Sequence, residues 1–371
     1  MTASGRFLFV TWAGGGNVNP VLALAARLRR RGHQVRVLGP PHGLRERFEA
    51  EGIAYHAHRK GSEWTDGLCQ DVLAEAQNEP TDAIIVDYMQ PAALCAAEHS
   101  GLPTAALVHT LYQRVAIGPH TPMEMASDLA SVNALRAELG LSPVERMSAL
   151  LDQVARVLVV VSGELDRPEE PLARNVRFVG PIIEDAGRDA GWTRPWPVSD
   201  GPLVLCSMST TPMDGDAAAI QRVLSALDGA ALRLLVTLAP HHDAARFDVP
   251  ANAALVPYLR HAAVLPHAHL LISHAGLSTI GAALSFGVPI LCLPLGREQP
   301  ANADHVQAVG AGLRLSANAE PTEIRARVLE LLDDPKYLAA AQHMSAVIEA
   351  CGYGWRAVDE LEALIRIWQC G

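Results

Sequence analysis

Ten short apolar runs punctuate this chain. The first half carries "FLFVTW", "QVRVL", "AIIV", "TAALV" and "VLVVV", and the second carries "LVLC", "LRLLVTL", "AALV", "LLIS" and "VPILCLP". Runs this continuous are strands buried on both faces, because a strand with a solvated face alternates apolar with polar residues. Between them lie helical stretches, including Pro20–Arg31, Pro91–His99, Asp216–Leu227, Ser278–Phe286 and Ala301–Val309. The tail reads as three helices, Thr322–Leu332, Lys336–Ala350 and Trp355–Trp368. Strand–helix alternation of this kind predicts an α/β chain with parallel sheets covered by helices.

At 371 residues the chain exceeds one ordinary core, so two domains are expected. The alternation breaks at "IIEDAGRDAGWTRPWPVSDG", Ile182–Gly201, which is polar, rich in Gly, Pro and Trp, and aperiodic. Such a stretch reads as an interdomain linker. Asp and Glu outnumber Lys and Arg by 40 to 30, a net charge of −10. That balance argues against a nucleic-acid partner or an anionic membrane, both of which attract a basic face. No segment has the length and apolarity of a membrane span or the make-up of a leader. The six cysteines form no C-x-x-C pair, so reduced thiols and a cytoplasmic location are expected, with no metal bound.

Two constellations carry chemistry. The first is "GGGNVNP", where the first strand hands over to the first helix. A dinucleotide turn needs G-x-G-x-x-G and an acid closing the second strand. Here Gly14 and Gly16 are followed by Asn19, and the second strand ends in "VLGPP". Gly15, Gly16 and Asn17 are therefore expected to line a cleft without gripping a dinucleotide. Arg29, Arg30 and Arg31 read as a solvated helix end. The Met-bearing stretch from Gly118 to Leu139 and the loop after Tyr55 are candidates for shaping an apolar pocket. The second constellation is "LLISHAGLSTIGAALSFGVPILCLPLGREQPANADHV". His274, Gly276, Ser278 and Thr279 fall at a helix N-terminus, a ready anion site, although Ser278 or Thr279 could equally cap the helix. Glu298 and Gln299 follow a strand and suit polyol hydroxyls, and Tyr258 suits a flat base.

Through these motifs, with "IIVDY" and "LVLCSMSTTP", the whole chain resembles the family-1 glycosyltransferases of GT-B fold, in particular bacterial enzymes that decorate natural products. The resemblance implies two facing Rossmann-like domains. An acceptor domain at 1–182 is joined by a linker at 183–201 to a nucleotide-sugar domain at 202–352, and the helix within 353–371 returns to the first domain. It implies inverting, metal-independent transfer from a uridine or thymidine diphosphate sugar to a small molecule, with no bound cofactor. A homodimer is left open. It also implies donor-binding roles for Thr210, Tyr258, Leu259, His274, Gly276, Ser278, Thr279, Glu298 and Gln299. Ser209 stands where the family often has glycine, and Ala282 where some members place a ribose-binding Glu.

The sharpest departure is at Asn17. Many members have Gly-His-Val-x-Pro there, the His taking the acceptor's proton while an Asp orients it. The Asp is matched by Asp87, but an amide has no proton-accepting lone pair at neutral pH. Three routes stay open: Asp87 as the base, His109 as the base, or an acceptor acidic enough to need none. Asp87 could instead cap the helix near Pro91, and His109 could be a strand-end hydrogen-bonder. A protein that binds nucleotide sugars without turnover, and a nucleotide-sugar epimerase, are the rival functions.

Overall fold

In the computed structural model the described residues are 4–369, apart from 15, 62–65, 114–122, 124–126, 169–170, 184–191, 198–199 and 258. The chain divides into two compact units, Met1–Ile183 with Cys351–Gly371, and Glu184–Ala350.

The first unit holds a seven-stranded sheet. Its strands are β1 Arg6–Val10, β2 Gln34–Gly39, β3 Ala54–Ala57, β4 Ala83–Asp87, β5 Thr104–Val108, β6 Arg156–Val159 and β7 Val176–Phe178, in the order β3-β2-β1-β4-β5-β6-β7. The second unit holds β8 Leu203–Ser207, β9 Arg233–Thr237, β10 Ala253–Val256, β11 Leu270–Ser273, β12 Ile290–Cys292 and β13 Gly312–Arg314, in the order β10-β9-β8-β11-β12-β13. Every pairing is parallel. The central strands β4, β5 and β8 are buried at every residue, which explains their unbroken apolar sequences.

In each sheet the chain starts in the middle, works outward to one edge, then crosses to the far side of its first strand. The loops after β1 and β4 therefore part in opposite directions, as do those after β8 and β11. Such a switch point leaves a crevice at the carboxyl ends of the strands. Asn17 and Asp87 stand at the first of these points, and His274 stands at the second.

All ten expected strands are present, with ends shifted by up to two residues. Three further strands, β3, β7 and β13, lie toward the sheet edges and span three or four residues each. The first helix runs Val18–Arg30, two residues earlier than its proline suggests. Residues 118–122 and 124–126 of the Met-bearing stretch lie outside the described residues, as do 184–191 and 198–199 of the expected linker. Met123 is fully buried, and Leu129–Glu138 is a helix capped by Asp128. No helix among the described residues is long and apolar enough to cross a membrane.

The last helix, Trp355–Gln369, belongs to the first unit. Ala357, Val358, Leu361, Leu364 and Ile365 join Phe7, Leu24 and Leu28 in one core cluster. Arg31, expected to be merely solvated, pairs with Asp359 at 2.7 Å and Glu362 at 3.0 Å, and lies 5.1 Å from the centre of the Trp355 ring. Arg27 is deeper. The residue is 1% exposed, and its guanidinium donates to the Tyr353 carbonyl at 2.6 Å and the Ile183 carbonyl at 2.5 Å. Gly354, at φ +89°, lets the two segments meet, since a Cβ there would lie 2.7 Å from that guanidinium and 2.9 Å from the Ile182 Cα.

Charged hydrogen bonds are worth about 1.5–3 kcal/mol each, and a buried group left unpaired costs a similar amount. Arg27→Met keeps most of the side-chain volume and removes both donations. It is expected to lower stability by about 3 kcal/mol, measured by urea unfolding, with the loss confined to the first unit.

Candidate functional site

Within the first unit, the turn after β1 is built around Asn17. This residue is 1% exposed and does not cap the helix it precedes. The Oδ1 atom accepts from the Gly14 N–H at 3.1 Å, closing the glycine turn. The Nδ2 group lies 2.8 Å from the Trp12 carbonyl, 3.2 Å from Thr11 Oγ1 and 3.1 Å from Asp87 Oδ2. Gly16 begins the turn into the helix, and Gly15 lies outside the described residues.

Asp87 closes β4, and its side chain is wholly buried. Besides Asn17, its carboxylate accepts from the Met89 N–H at 3.0 Å and meets His109 Nε2 at 3.2 Å. It does not cap the following helix, whose N-cap residue is Gln90. Asp87 is thus enclosed by donors, a poor placement for a proton acceptor and a good one for an orienting group. His109 follows β5, the neighbour of β4, and its side chain is 11% exposed with its ring edge-on to Tyr88 at 5.1 Å. Its Nε2 faces the carboxylate. The structure brings Asn17, Asp87 and His109 into one hydrogen-bonded group across β1, β4 and β5.

Within the second unit, β11 ends at Ser273 and the helix Leu277–Ser285 begins four residues later. Between them Ala275 sits at φ +68°, a conformation that costs an L-residue energy and is held only where its surroundings dictate it. Two bonds do so. The Ala275 carbonyl accepts from Asn302 Nδ2 at 3.0 Å, and its N–H donates to Ser273 Oγ at 3.3 Å. Gly276 is the N-cap residue, and no side chain caps the helix, so neither Ser278 nor Thr279 does. The first N–H groups of a helix have no carbonyl partner within it, and here they remain available to an anion. Ser278 is exposed and Thr279 buried.

His274 packs against this turn. A Cβ on Gly276 would lie 2.7 Å from His274 Nε2, so only glycine leaves the ring in place. Burial pushes the His274 imidazole down to about 4, helped by His261 and Arg297 and opposed by a hydrogen bond to the Ser207 backbone. Burial holds His261 at about 4 as well, where its Nε2 meets Ser207 Oγ at 2.9 Å and Thr237 Oγ1 donates to the same oxygen at 2.9 Å. His274 therefore serves as a neutral hydrogen-bonding group at pH 7, not as a cation.

Gln299 is the first residue of the helix Gln299–Ala308 and is 3% exposed. Its Oε1 accepts from the N–H groups of Leu295 at 2.8 Å and Gly296 at 3.2 Å, bracing the loop after β12. Glu298 is half-buried at the N-cap, just after Arg297 at φ +55°. Thr210 is exposed on the loop after β8, and Leu259 is half-buried beyond β10. Tyr258 lies outside the described residues. Sequence reasoning missed Asn302 and the pair Ser207–His261. Asn302 lies one helical turn beyond Gln299, where a polar residue on a buried face was the available signal.

Residues 7–79 match the family model of the glycosyltransferase family 28 N-terminal domain, and residues 221–364 match that of the erythromycin biosynthesis protein CIII-like C-terminal domain. The 4'-demethylrebeccamycin synthase of Lentzea aerocolonigenes is 22% identical over 97% of this chain and 99% of its own. Among solved structures, CalG4, the calicheamicin glycosyltransferase, matches with a TM-score of 0.80 at 22% identity over 98% of each chain. The glycosyltransferase VinC in complex with dTDP matches with a TM-score of 0.74 at 18% identity, over 97% of this chain and 99% of that one.

The depressed histidines set a pH dependence. With folded values near 4 against 6.5 for free imidazole, the unfolded chain binds protons that the folded one refuses between those values. Stability must fall as pH drops through that window and level off, for these groups, below about 4. A proton bound only by the unfolded chain is worth about 1.4 kcal/mol for every pH unit crossed, so each histidine accounts for about 2 kcal/mol between pH 7 and pH 5. His274→Gln is expected to remove one such share from the acid slope, read from urea midpoints at the two pH values.

Proposed function

We propose that this chain, a family-1 glycosyltransferase of GT-B fold, moves a sugar from a uridine or thymidine diphosphate donor to a small natural-product acceptor with inversion at the anomeric carbon. The second unit takes the donor. The observation that carries this reading is the uncapped start of the helix Leu277–Ser285 behind a turn pinned by Asn302 and Ser273. Backbone N–H groups and a positive helix end, held rigid before the ligand arrives, stabilise the charge that grows on the departing diphosphate. Neutral His274 adds a hydrogen bond to the same phosphates, with Ser278, Thr279 and Thr210 as further donors. Gly276 lets the backbone approach. Tyr258 and Leu259 take the base, and Glu298 and Gln299 the sugar. Dinucleotides and metal ions have no part in the reaction, and no cofactor is carried.

The first unit takes the acceptor. The base lost at Asn17 is replaced from the neighbouring strand: His109 removes the acceptor's proton, and Asp87 orients the ring and steadies the imidazolium that forms. Asn17 holds Asp87 and the glycine turn in place without exchanging a proton. The acceptor oxygen, nitrogen or carbon attacks as the bond to the diphosphate breaks, and no intermediate on the protein is required. The names of the relatives, which include enzymes for rebeccamycin-type and calicheamicin-type compounds, support a natural-product acceptor. The four described buried cysteines, Cys69, Cys95, Cys206 and Cys292, are free, which fits a reducing cytoplasmic setting.

Two measurements test the reading. Calorimetric titration is expected to show micromolar binding of UDP or TDP and none of NAD, with Gly276→Ala at least tenfold weaker; absence of both UDP and TDP binding overturns the donor site. On a working donor–acceptor pair, His109→Ala is expected to lower kcat by ~10²–10⁴ and to flatten the rise of kcat/KM with pH. Full rates in both His109→Ala and Asp87→Asn rule out the proposed base and leave an acceptor that reacts unaided. Donor binding with no transfer to any acceptor indicates a binding protein.

A further inference from the structure

Two loops of the second unit converge on a cluster outside the donor turn. Asp216 opens the helix Asp216–Leu227 after β8, and His241 and His242 follow β9. Strands β8 and β9 are paired through Ser207 and Thr237 at their carboxyl ends, so both loops leave the same end of the strands. His241 Nε2 lies 2.9 Å and His242 Nε2 3.3 Å from the same Asp216 Oδ2, and all three atoms fall within 4.8 Å of one another. The imidazole centroids lie 4.1 Å apart, with the ring planes tilted by 48°.

One detail separates this cluster from an ordinary ion pair. The His242 side chain is 9% exposed, yet its Nε2 makes no hydrogen bond, because the contact with Asp216 has the distance of one without the direction. A buried ring nitrogen with no hydrogen-bond partner, close to two other ligand-type atoms, is suited to an electron-pair acceptor. Zinc bonds of about 2.0–2.2 Å to nitrogen and oxygen set tetrahedral ligand–ligand separations of about 3.3 Å, close to the two found here. The carboxylate is also held from behind, its Oδ1 accepting the Ala217 N–H at 2.6 Å. A second group, His56, Glu75 and Glu79, lacks this character. There Glu75 Oε1 is engaged by Arg36 Nε at 2.7 Å and His56 Nδ1 at 2.8 Å, so a cation would face a guanidinium.

We propose that Asp216 Oδ2, His241 Nε2 and His242 Nε2 bind a divalent transition-metal ion of the zinc class, leaving one position for water. Two imidazoles with one carboxylate select zinc, cobalt or nickel over calcium and magnesium. Binding replaces the His241–Asp216 hydrogen bond and places the ring protons of both histidines on Nδ1. The ion joins the loop after β9 to the loop between β8 and its helix, which carries Thr210. Its role is to brace those loops, and no step of sugar transfer passes through it.

The test uses the full-length protein stripped with a chelator and titrated with zinc chloride by calorimetry and with cobalt chloride by visible absorption. One saturable site is expected, with cobalt bands of a low-coordinate N/O environment and a rise in Tm with zinc. His241→Ala and His242→Ala should each weaken binding at least tenfold and abolish the zinc-dependent rise in Tm, whereas His56→Ala should change neither. His242→Gln, which keeps a polar side chain of similar size, replaces the alanine variant if that one misfolds. Absence of saturable binding, or binding that survives both histidine substitutions, overturns the proposal.

Discussion

A strand buried on both faces has no solvated side, and everything else in this molecule follows from that constraint. Its backbone must pair with neighbours on either edge, its crossovers must run as helices over the sheet faces, and its connections must open at the two ends. With the order β3-β2-β1-β4 repeated as β10-β9-β8-β11, the carboxyl end of each central pair is where loops separate and ligands have room. Both candidate sites sit at such an end, and the proposed metal cluster lies one strand further along the second.

At the first crevice a buried carboxylate decides the local design. Asp87 has no access to water, so its buried oxygens need protein donors around them. Asn17, the Met89 N–H and His109 supply them. An amide at Asn17 satisfies that need as well as an imidazole does, and also closes the glycine turn through Oδ1. What the amide cannot supply is proton exchange, and His109, on the next strand, faces the same carboxylate.

The strands were legible wherever burial on both faces forced unbroken apolar sequence, as in "AIIVD" and "LVLCS". They were not legible at β7 and β13, where three residues near an edge carry too few side chains to show a pattern. The turn from Ser273 to Thr279 could be picked out as a candidate because its residues are contiguous. Its support could not, since Asn302 reaches Ala275 across 27 residues and His261 reaches Ser207 across 54. Asp216 and His241 are separated by 25 positions, a spacing that matches no local motif and acquires meaning only once β8 and β9 are paired. Gln299 shows another limit: its residue type suits a sugar, but that its carbonyl oxygen also braces the backbone of Leu295 and Gly296 emerges only from the fold.

The helix Trp355–Gln369 has a consequence for biogenesis. Its apolar face fills the core that Phe7, Leu24 and Leu28 begin, yet a ribosome reaches it only after translating all of Glu184–Ala350. The second unit is one uninterrupted stretch of chain and has every residue it needs as soon as Ala350 emerges. The first unit, although made first, must wait with part of its core uncovered until the last turns of helix arrive. Order of synthesis and order of completion are therefore reversed in this protein.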